Sequence, residues 1–255
     1  MNVFITGASS GIGAALAREF AGRGATLGLV ARRQDALDAL AAKLPGAHRT
    51  YAVDVTNKDA IVAAGRDFDA AGGGTDLVIA NAGISVGVLT EHYEDLDAFR
   101  RVLETNVLAM AYTFHPFIAP MRHRRRGTLA GIASVAGIRG LPGSEAYCAS
   151  KAAAISYLES LRVELRRFGV RVVTIAPGFV RTPLTARNPY RMPFLMAPEA
   201  FARAAADAML AATSYRVIPW QMAIVAKLLR AAPNWAFDRL MANRPYKPRK
   251  TEPSP

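Results

Sequence analysis

The sequence predicts an α/β fold: a doubly wound, mostly parallel sheet of seven strands flanked by helices, with a short helical extension at its C-terminal end. Three observations predict it. Short β-rich segments alternate with longer Ala/Leu/Arg segments of helical character, the order produced by strand–helix–strand units with right-handed crossovers. A glycine-rich turn joins the first strand directly to the first helix. The 255 residues are 51% hydrophobic and 20% charged, with mean hydropathy +0.13, which is ample apolar material for one large core.

Taken in order, the first strand is Asn2–Thr6, an apolar Val-Phe-Ile run ending at Gly7, and the first helix begins at Gly11. A second strand, Thr26–Ala31, precedes a helix from Gln34. The third, Arg49–Val53, precedes a helix from Lys58 that ends before Gly72-Gly73-Gly74, a break short enough to be one helix-to-strand turn. Strand four, Asp76–Ala80, leads to a helix from Leu96; strand five, Thr128–Ala133, to a helix from Ser144; strand six, Val170–Ala176, to a helix from Pro198. Arg216–Ile218 completes the sheet. From Pro219 to Met241 the pattern changes to two short helices separated by Pro233. One domain is expected over residues 1–243, with 219–243 as the helical extension. Residues 244–255, which hold four of the 15 prolines, are expected to form a flexible basic tail.

The single cysteine, Cys148, cannot form an internal disulfide, and Met1 leads into Val-Phe-Ile without a charged segment and cleavage site, so a reduced, cytoplasmic protein is expected. No apolar run reaches the ~18 residues of a spanning helix, which leaves attachment to a membrane surface open. The formal net charge of +12 is concentrated at Arg122-His123-Arg124-Arg125-Arg126 and Lys247-Pro248-Arg249-Lys250. Solvated faces account for such runs. So do acidic partners: a phosphorylated cofactor, an acidic carrier protein or an anionic lipid surface. Nucleic acid is not expected, because neither zinc-finger spacing nor aromatics interleaved with the basic runs occur. His48, His92, His115 and His123 are scattered without paired ligand spacing, so no metal centre is expected.

The first strand runs into Thr6-Gly7-Ala8-Ser9-Ser10-Gly11-Ile12-Gly13, followed at once by the helical segment Ala14-Ala15-Leu16-Ala17-Arg18-Glu19-Phe20. Glycines suit a tight turn that brings backbone close to a pyrophosphate, and the free amides at the helix N-terminus then face the anion. The spacing G-x-x-x-G-x-G departs from the commoner G-x-G-x-x-G. It resembles the nucleotide-binding turn of short-chain dehydrogenases/reductases, in their single-domain branch of about this length, which implies a Rossmann-type fold and binding through Gly7, Ser9, Ser10, Gly11, Ile12 and Gly13. The second strand bears on which nucleotide. It ends in Ala31-Arg32-Arg33, where an NAD enzyme wants a carboxylate on the ribose hydroxyls. Guanidinium groups favour a 2′-phosphate, so NADP(H) is expected ahead of NAD(H), with Arg32 the stronger candidate and Arg33 the weaker. Both also fit a solvent-facing position at the head of a helix. The resemblance further implies adenine contact at Asp54-Val55 and an element beside the adenosine at Asn81-Ala82-Gly83.

Tyr147-Cys148-Ala149-Ser150-Lys151 opens a helical stretch, and Tyr147 and Lys151, four apart, share one helix face. Carbonyl reduction needs a proton for the developing alkoxide, and a phenol with pKa near ~10 is a poor acid and base at neutral pH. A neighbouring ammonium favours phenolate, so Lys151 is expected to lower the tyrosine's pKa. Within the resemblance, Ser134 matches the family's catalytic serine and Asn106 the asparagine that fixes a water in a proton relay through Lys151. Asn106, Ser134, Tyr147 and Lys151 thus form the implied catalytic set, with Tyr147 and Lys151 also touching the nucleotide. Pro177-Gly178-Phe179-Val180-Arg181-Thr182 resembles the family's Pro-Gly turn, which implies carboxamide contacts from Val180 and Thr182. The resemblance spans about Asn2 to Thr182.

Cys148 projects about 100° from Tyr147 on a helix and is expected to be a small core residue. The segment from Phe179 to Pro198, with Phe179, Tyr190, Met192, Phe194, Leu195 and Met196, is expected to form a lid over an apolar substrate, plain packing being the alternative. Arg139-Gly140-Leu141-Pro142-Gly143 is expected on the opposite wall. Trp220 to Arg230 is strongly apolar with cations near one end, which fits core packing, homo-oligomer contact or weak attachment to a membrane surface. The expected function is NADP(H)-dependent interconversion of a small-molecule carbonyl and alcohol. Two rivals on the same fold are a non-catalytic nucleotide sensor and a peripheral membrane or carrier-protein adaptor.

Overall fold

The computed structural model describes residues 1–186 and 188–249. Its strands are β1 (Asn2–Thr6), β2 (Thr26–Ala31), β3 (Arg49–Ala52), β4 (Leu77–Ala80), β5 (Thr128–Ile132), β6 (Arg171–Pro177) and β7 (Tyr215–Ile218). They form one sheet in the order β3-β2-β1-β4-β5-β6-β7, and every pairing is parallel. Along β1 the pleat sends Val3 and Ile5 to one face and Phe4 to the other, and all three are buried. A sheet buried on both faces reads as continuous apolar runs, which is why the strands were visible in the sequence.

Helices α1 (Gly11–Gly22), α2 (Gln34–Ala41) and α7 (Pro198–Leu210) cover one face, where Leu16, Phe20, Leu37 and Phe201 join one cluster. On the other face lie α3 (Lys58–Ala71), α5 (Ala109–Arg124) and α6 (Glu145–Arg166), which bury Phe68, Phe114, Phe117 and Leu158. Helix α4 (Asp95–Leu103) packs on α6 and passes through a π-helical turn, Glu104–Leu108, into α5. No helix start is expected near Ala109 from the sequence, and α5 carries Pro116 and Pro120 in its interior, where proline removes a hydrogen bond. The helix persists because a packed neighbour supports it: Gly65 of α3 leaves the room that Pro116 and Phe117 fill.

Beyond the sheet, α8 (Trp220–Ala231) and α9 (Asn234–Met241) are the two short helices expected on either side of Pro233. The expectation of an unstructured tail from residue 244 needs correction. Arg249 bridges Gly87 and pairs with Asp95, and Lys247 is buried, so residues 244–249 run as a strap across the molecule. Lys250 and the rest of the expected tail lie outside the described residues. Successive strands are added outward from β1 to β3 and then, from β4, on the other side of β1. The resulting crevice at the carboxyl ends of β1 and β4 is where doubly wound sheets bind ligands.

Candidate active site

The turn between β1 and α1 forms the anion-binding end of the crevice. Gly7 and Gly11 take positive φ angles of 67° and 55°, a conformation that side chains resist. A Cβ on Gly13 would overlap the Gly7 carbonyl, so α1 can approach β1 this closely only with glycine there. Ser10 caps α1 without a side-chain hydrogen bond, which leaves the first-turn amides free to serve an anion. Asn81, at the end of β4, braces the turn: Nδ2 donates to the Thr6 carbonyl at 2.9 Å and to the Gly7 carbonyl at 3.3 Å. Thr6 Oγ1 in turn accepts from the Asn81 and Ala82 amides at 3.1 and 3.2 Å.

This turn opens onto a cleft of about 840 Å³ along the carboxyl ends of the strands. Among the residues expected to hold a nucleotide, Gly7, Ser9, Ser10, Gly11, Ile12, Arg32, Asp54, Val55, Asn81, Ala82, Gly83, Tyr147, Lys151, Pro177, Gly178, Val180 and Thr182 line it. Gly13 is buried beneath the turn. Arg33 is the N-cap of α2 and is not part of the lining. Asp54 turns its carboxylate back on its own loop, where Oδ1 accepts from the Thr56 amide at 3.0 Å and the Thr56 hydroxyl at 2.8 Å. The glycine cradle, the free helix amides and the length of the cleft together fit a dinucleotide.

At the inner end of the cleft three elements converge. β5 delivers Ser134, which caps a 3₁₀ turn (Val135–Gly137); its Oγ accepts from the Ala136 amide at 3.1 Å and keeps its proton to donate. Helix α6 delivers Tyr147 and, one turn on, Lys151. The Lys151 ammonium lies 5.8 Å from the centre of the Tyr147 ring and donates to the Ile132 carbonyl at 2.8 Å. Burial draws the Lys151 pKa from 10.5 down to about 8. Burial also pushes Tyr147 up to about 12, opposed in part by a hydrogen bond with Ser134. The expected lowering of the tyrosine by Lys151 is therefore not met: desolvation dominates at the phenol, and the ammonium is directed at a backbone carbonyl instead.

The π-helical turn delivers Asn106, a placement typical of functional positions. Its Oδ1 accepts from the Ile84 amide at 2.8 Å, and its Nδ2 donates to the Ile84 carbonyl at 3.0 Å and to Ser150 Oγ at 2.9 Å. Asn106 does not line the cleft. It flanks Gly83 together with Lys151, their Oδ1 and Nζ atoms lying 3.1 and 3.6 Å from where a Cβ on that glycine would stand. Sequence reasoning missed Ser150. Its hydroxyl donates to the Tyr147 carbonyl at 2.8 Å, so a buried chain Asn106–Ser150–Tyr147 fixes the first turn of α6. The signal was a polar residue on the buried side of the helix.

Beside the cleft lies a second cavity of about 750 Å³, and Ser134, Tyr147 and Lys247 line both. Val135, Ile138, Leu141, Phe179, Met222 and Leu229 give it apolar walls. Of the residues expected in a lid, Phe179 and Tyr190 stand on its wall with their rings 6.3 Å apart. Phe194 and Leu195 are exposed and Met196 packs on the main core, so these three stand away from that wall. Arg139 is on the wall as expected, and it also ties α8 to α9 through the Leu229 and Ala232 carbonyls and Asn234. Cys148 is buried as a small core residue.

A nucleotide-shaped cleft that ends on a serine, a tyrosine and a lysine, with an apolar cavity beyond, defines an oxidoreductase of the doubly wound class. A family model described as short chain dehydrogenase matches residues 1–191, and the chain belongs to the short-chain dehydrogenase/reductase family, whose members act on CH–OH groups with a nicotinamide cofactor. It is 40% identical over 237 residues to an uncharacterized oxidoreductase of Myxococcus xanthus, covering 92% of this chain and 93% of that one. It is 35% identical over 187 residues to a cis-4-hydroxycyclohexanecarboxylate dehydrogenase of Sinomonas cyclohexanicum, covering 72% and 75% of the two chains. The structure of a 3-ketoacyl-(acyl-carrier-protein) reductase from Brucella melitensis complexed with NADH superposes with a TM-score of 0.77 at 25% identity, over 85% of this chain and 96% of that one. Among the described residues no helix is long and apolar enough to cross a membrane.

Proposed function

We propose that the protein is an NADP(H)-dependent oxidoreductase that interconverts a carbonyl and an alcohol on a hydrophobic small molecule. The observation that carries this reading is that Tyr147 and Ser134 stand on the wall shared by the cleft and the apolar cavity. A nicotinamide held in the cleft supplies or accepts the hydride. Tyr147 Oη holds the proton that passes to the substrate oxygen, and the Ser134 hydroxyl donates a second hydrogen bond to the same atom. Lys151 keeps a positive charge beside them. Asn106 and Ser150 hold the helix turn that positions Tyr147. The Sinomonas relative, named for an alcohol on an apolar ring, supports the substrate class.

The preference for NADP(H) rests on Arg32, which lines the cleft where β2 ends. A guanidinium there pairs with a 2′-phosphate and has nothing comparable to grip on NAD(H). The Brucella reductase, described with NADH, makes this the point to test. In Arg32→Ala, the Kd for NADPH in a fluorescence titration is expected to rise about 10- to 100-fold while that for NADH stays constant. Equal turnover of the wild type with NADH and NADPH would remove the preference.

The same proposal extends to α8 and α9, where Trp220, Ile224, Leu228, Trp235 and Leu240 are exposed. Such a surface suits a homo-oligomer contact or weak attachment to anionic lipid. Because α8 and α9 also wall the cavity, point changes test this better than truncation. The double variant Trp220→Ser/Trp235→Ser is expected to lower the mass seen by sedimentation or the binding to anionic vesicles. A monomeric wild type that ignores vesicles would dispose of both.

A further inference from the structure

Resting on the oxidoreductase reading above, we propose that the substrate carries an anionic group, a carboxylate or comparable small anion, which pairs with the Lys247 ammonium at the seam of the two cavities. The strap that carries Lys247 is anchored on either side. Arg249 pairs with the buried Asp95, Nε to Oδ2 at 2.7 Å and Nη2 to Oδ1 at 3.2 Å, and the Gly87 amide donates to the Pro248 carbonyl at 3.2 Å. A Cβ on Gly87 would overlap the Lys247 carbonyl, and one on Gly143 would press on the Tyr246 ring, so two glycines make room for the strap.

This anchoring buries Lys247 to 9% exposure and places it in the lining of both the cleft and the cavity. Its Nζ donates to Ser85 Oγ at 3.0 Å and to the Leu184 carbonyl at 3.3 Å, both neutral acceptors. An ammonium has three protons, and a buried cation without a counter-charge is held at a cost. The cavity wall supplies no counter-charge among the described residues: its lining contains Arg139, Arg191, Arg239, Arg244 and Lys247 and no carboxylate. Arg139 is engaged with α8 and α9, and Arg244 stacks over the Tyr190 ring at 4.8 Å. Burial lowers Lys247 to about 8, which leaves it charged at neutral pH. An apolar cavity with a buried cation on the seam therefore selects a molecule with a hydrophobic body, a carbonyl or hydroxyl that reaches Tyr147, and an anion that reaches Lys247.

Because Lys247 also lines the cleft, the anion has two sources, substrate or nucleotide, and the test separates them. 3-Benzoylpropionate, 4-benzoylbutyrate and 5-benzoylpentanoate are titrated calorimetrically against the NADPH-loaded protein beside their neutral amides. At least one acid is expected to bind about tenfold more tightly than its amide, the value of one charge-assisted hydrogen bond. That ratio is expected to fall to about one in Lys247→Gln and to persist in Lys247→Arg, which guards against simple misfolding. Equal binding of acid and amide by the wild type would overturn the proposal, as would a ratio that survives Lys247→Gln. A Lys247→Gln protein that loses NADPH affinity while keeping the acid preference would assign the cation to the nucleotide and overturn it too. A preference for acids with no turnover would leave the anion site standing and sink the oxidoreductase reading alone.

Discussion

Turnover is expected to fall about 10³-fold in Tyr147→Phe with nucleotide affinity unchanged, the loss that follows removal of a positioned proton donor. The substitution removes only the hydroxyl and keeps the ring on the wall between the cavities. With a pKa of about 12, the phenol stays protonated through the neutral range, so it is set to donate in the reduction direction. Reduction should accordingly show no pH limb from Tyr147 in the accessible range. Steady-state kcat together with a fluorescence titration of NADPH checks the result. A variant with wild-type kcat would place the proton on another donor, whereas loss of NADPH binding would mean that the hydroxyl serves to hold the nucleotide.

The parts of this molecule that were legible in its sequence are those whose cause is local. Val3-Phe4-Ile5 is apolar because both faces of β1 are covered, and Gly7, Gly11 and Gly13 are glycines because of contacts within a single turn. What escaped depends on partners far along the chain. Helix α5 contains Pro116 and Pro120, which argue locally for a break, yet Gly65 on α3 provides the packing that sustains it. Lys247-Pro248-Arg249 has the composition of a solvated tail, and its order comes from Asp95, 154 residues away from Arg249. Ser150 gains its role from Asn106 across 44 residues. The spacing of Tyr147 and Lys151 correctly made them neighbours, but spacing does not say where an ammonium points. The Ile132 carbonyl, supplied by β5, decides that, while burial of the phenol reverses the expected direction of the tyrosine's shift.

Lys151→Met is expected to abolish turnover at every pH while changing how stability responds to pH. Folding takes the Lys151 ammonium out of water and lowers its pKa from 10.5 to about 8, so the folded state disfavours the charge. Below pH 8 the group is protonated whether the chain is folded or unfolded, and the folded state bears the whole desolvation cost. As pH rises from 8 to 10.5, the folded state gives up its proton before the unfolded state does; the unfolded state then binds more protons, and stability rises. Across that window the wild type should gain about 3 kcal/mol relative to Lys151→Met. The Ile132 carbonyl loses its donor in the variant at all pH values, a constant offset of about 1–3 kcal/mol that leaves the slope untouched. Lys247 titrates over the same range in both proteins and cancels in the difference. Denaturant unfolding at a series of pH values measures the slope, and parallel curves for the two proteins would mean that folding leaves the Lys151 pKa unshifted. The same titration sets the enzyme's working range, since loss of the Lys151 charge above pH 8 removes the cation beside Tyr147, and kcat/KM for reduction should decline there.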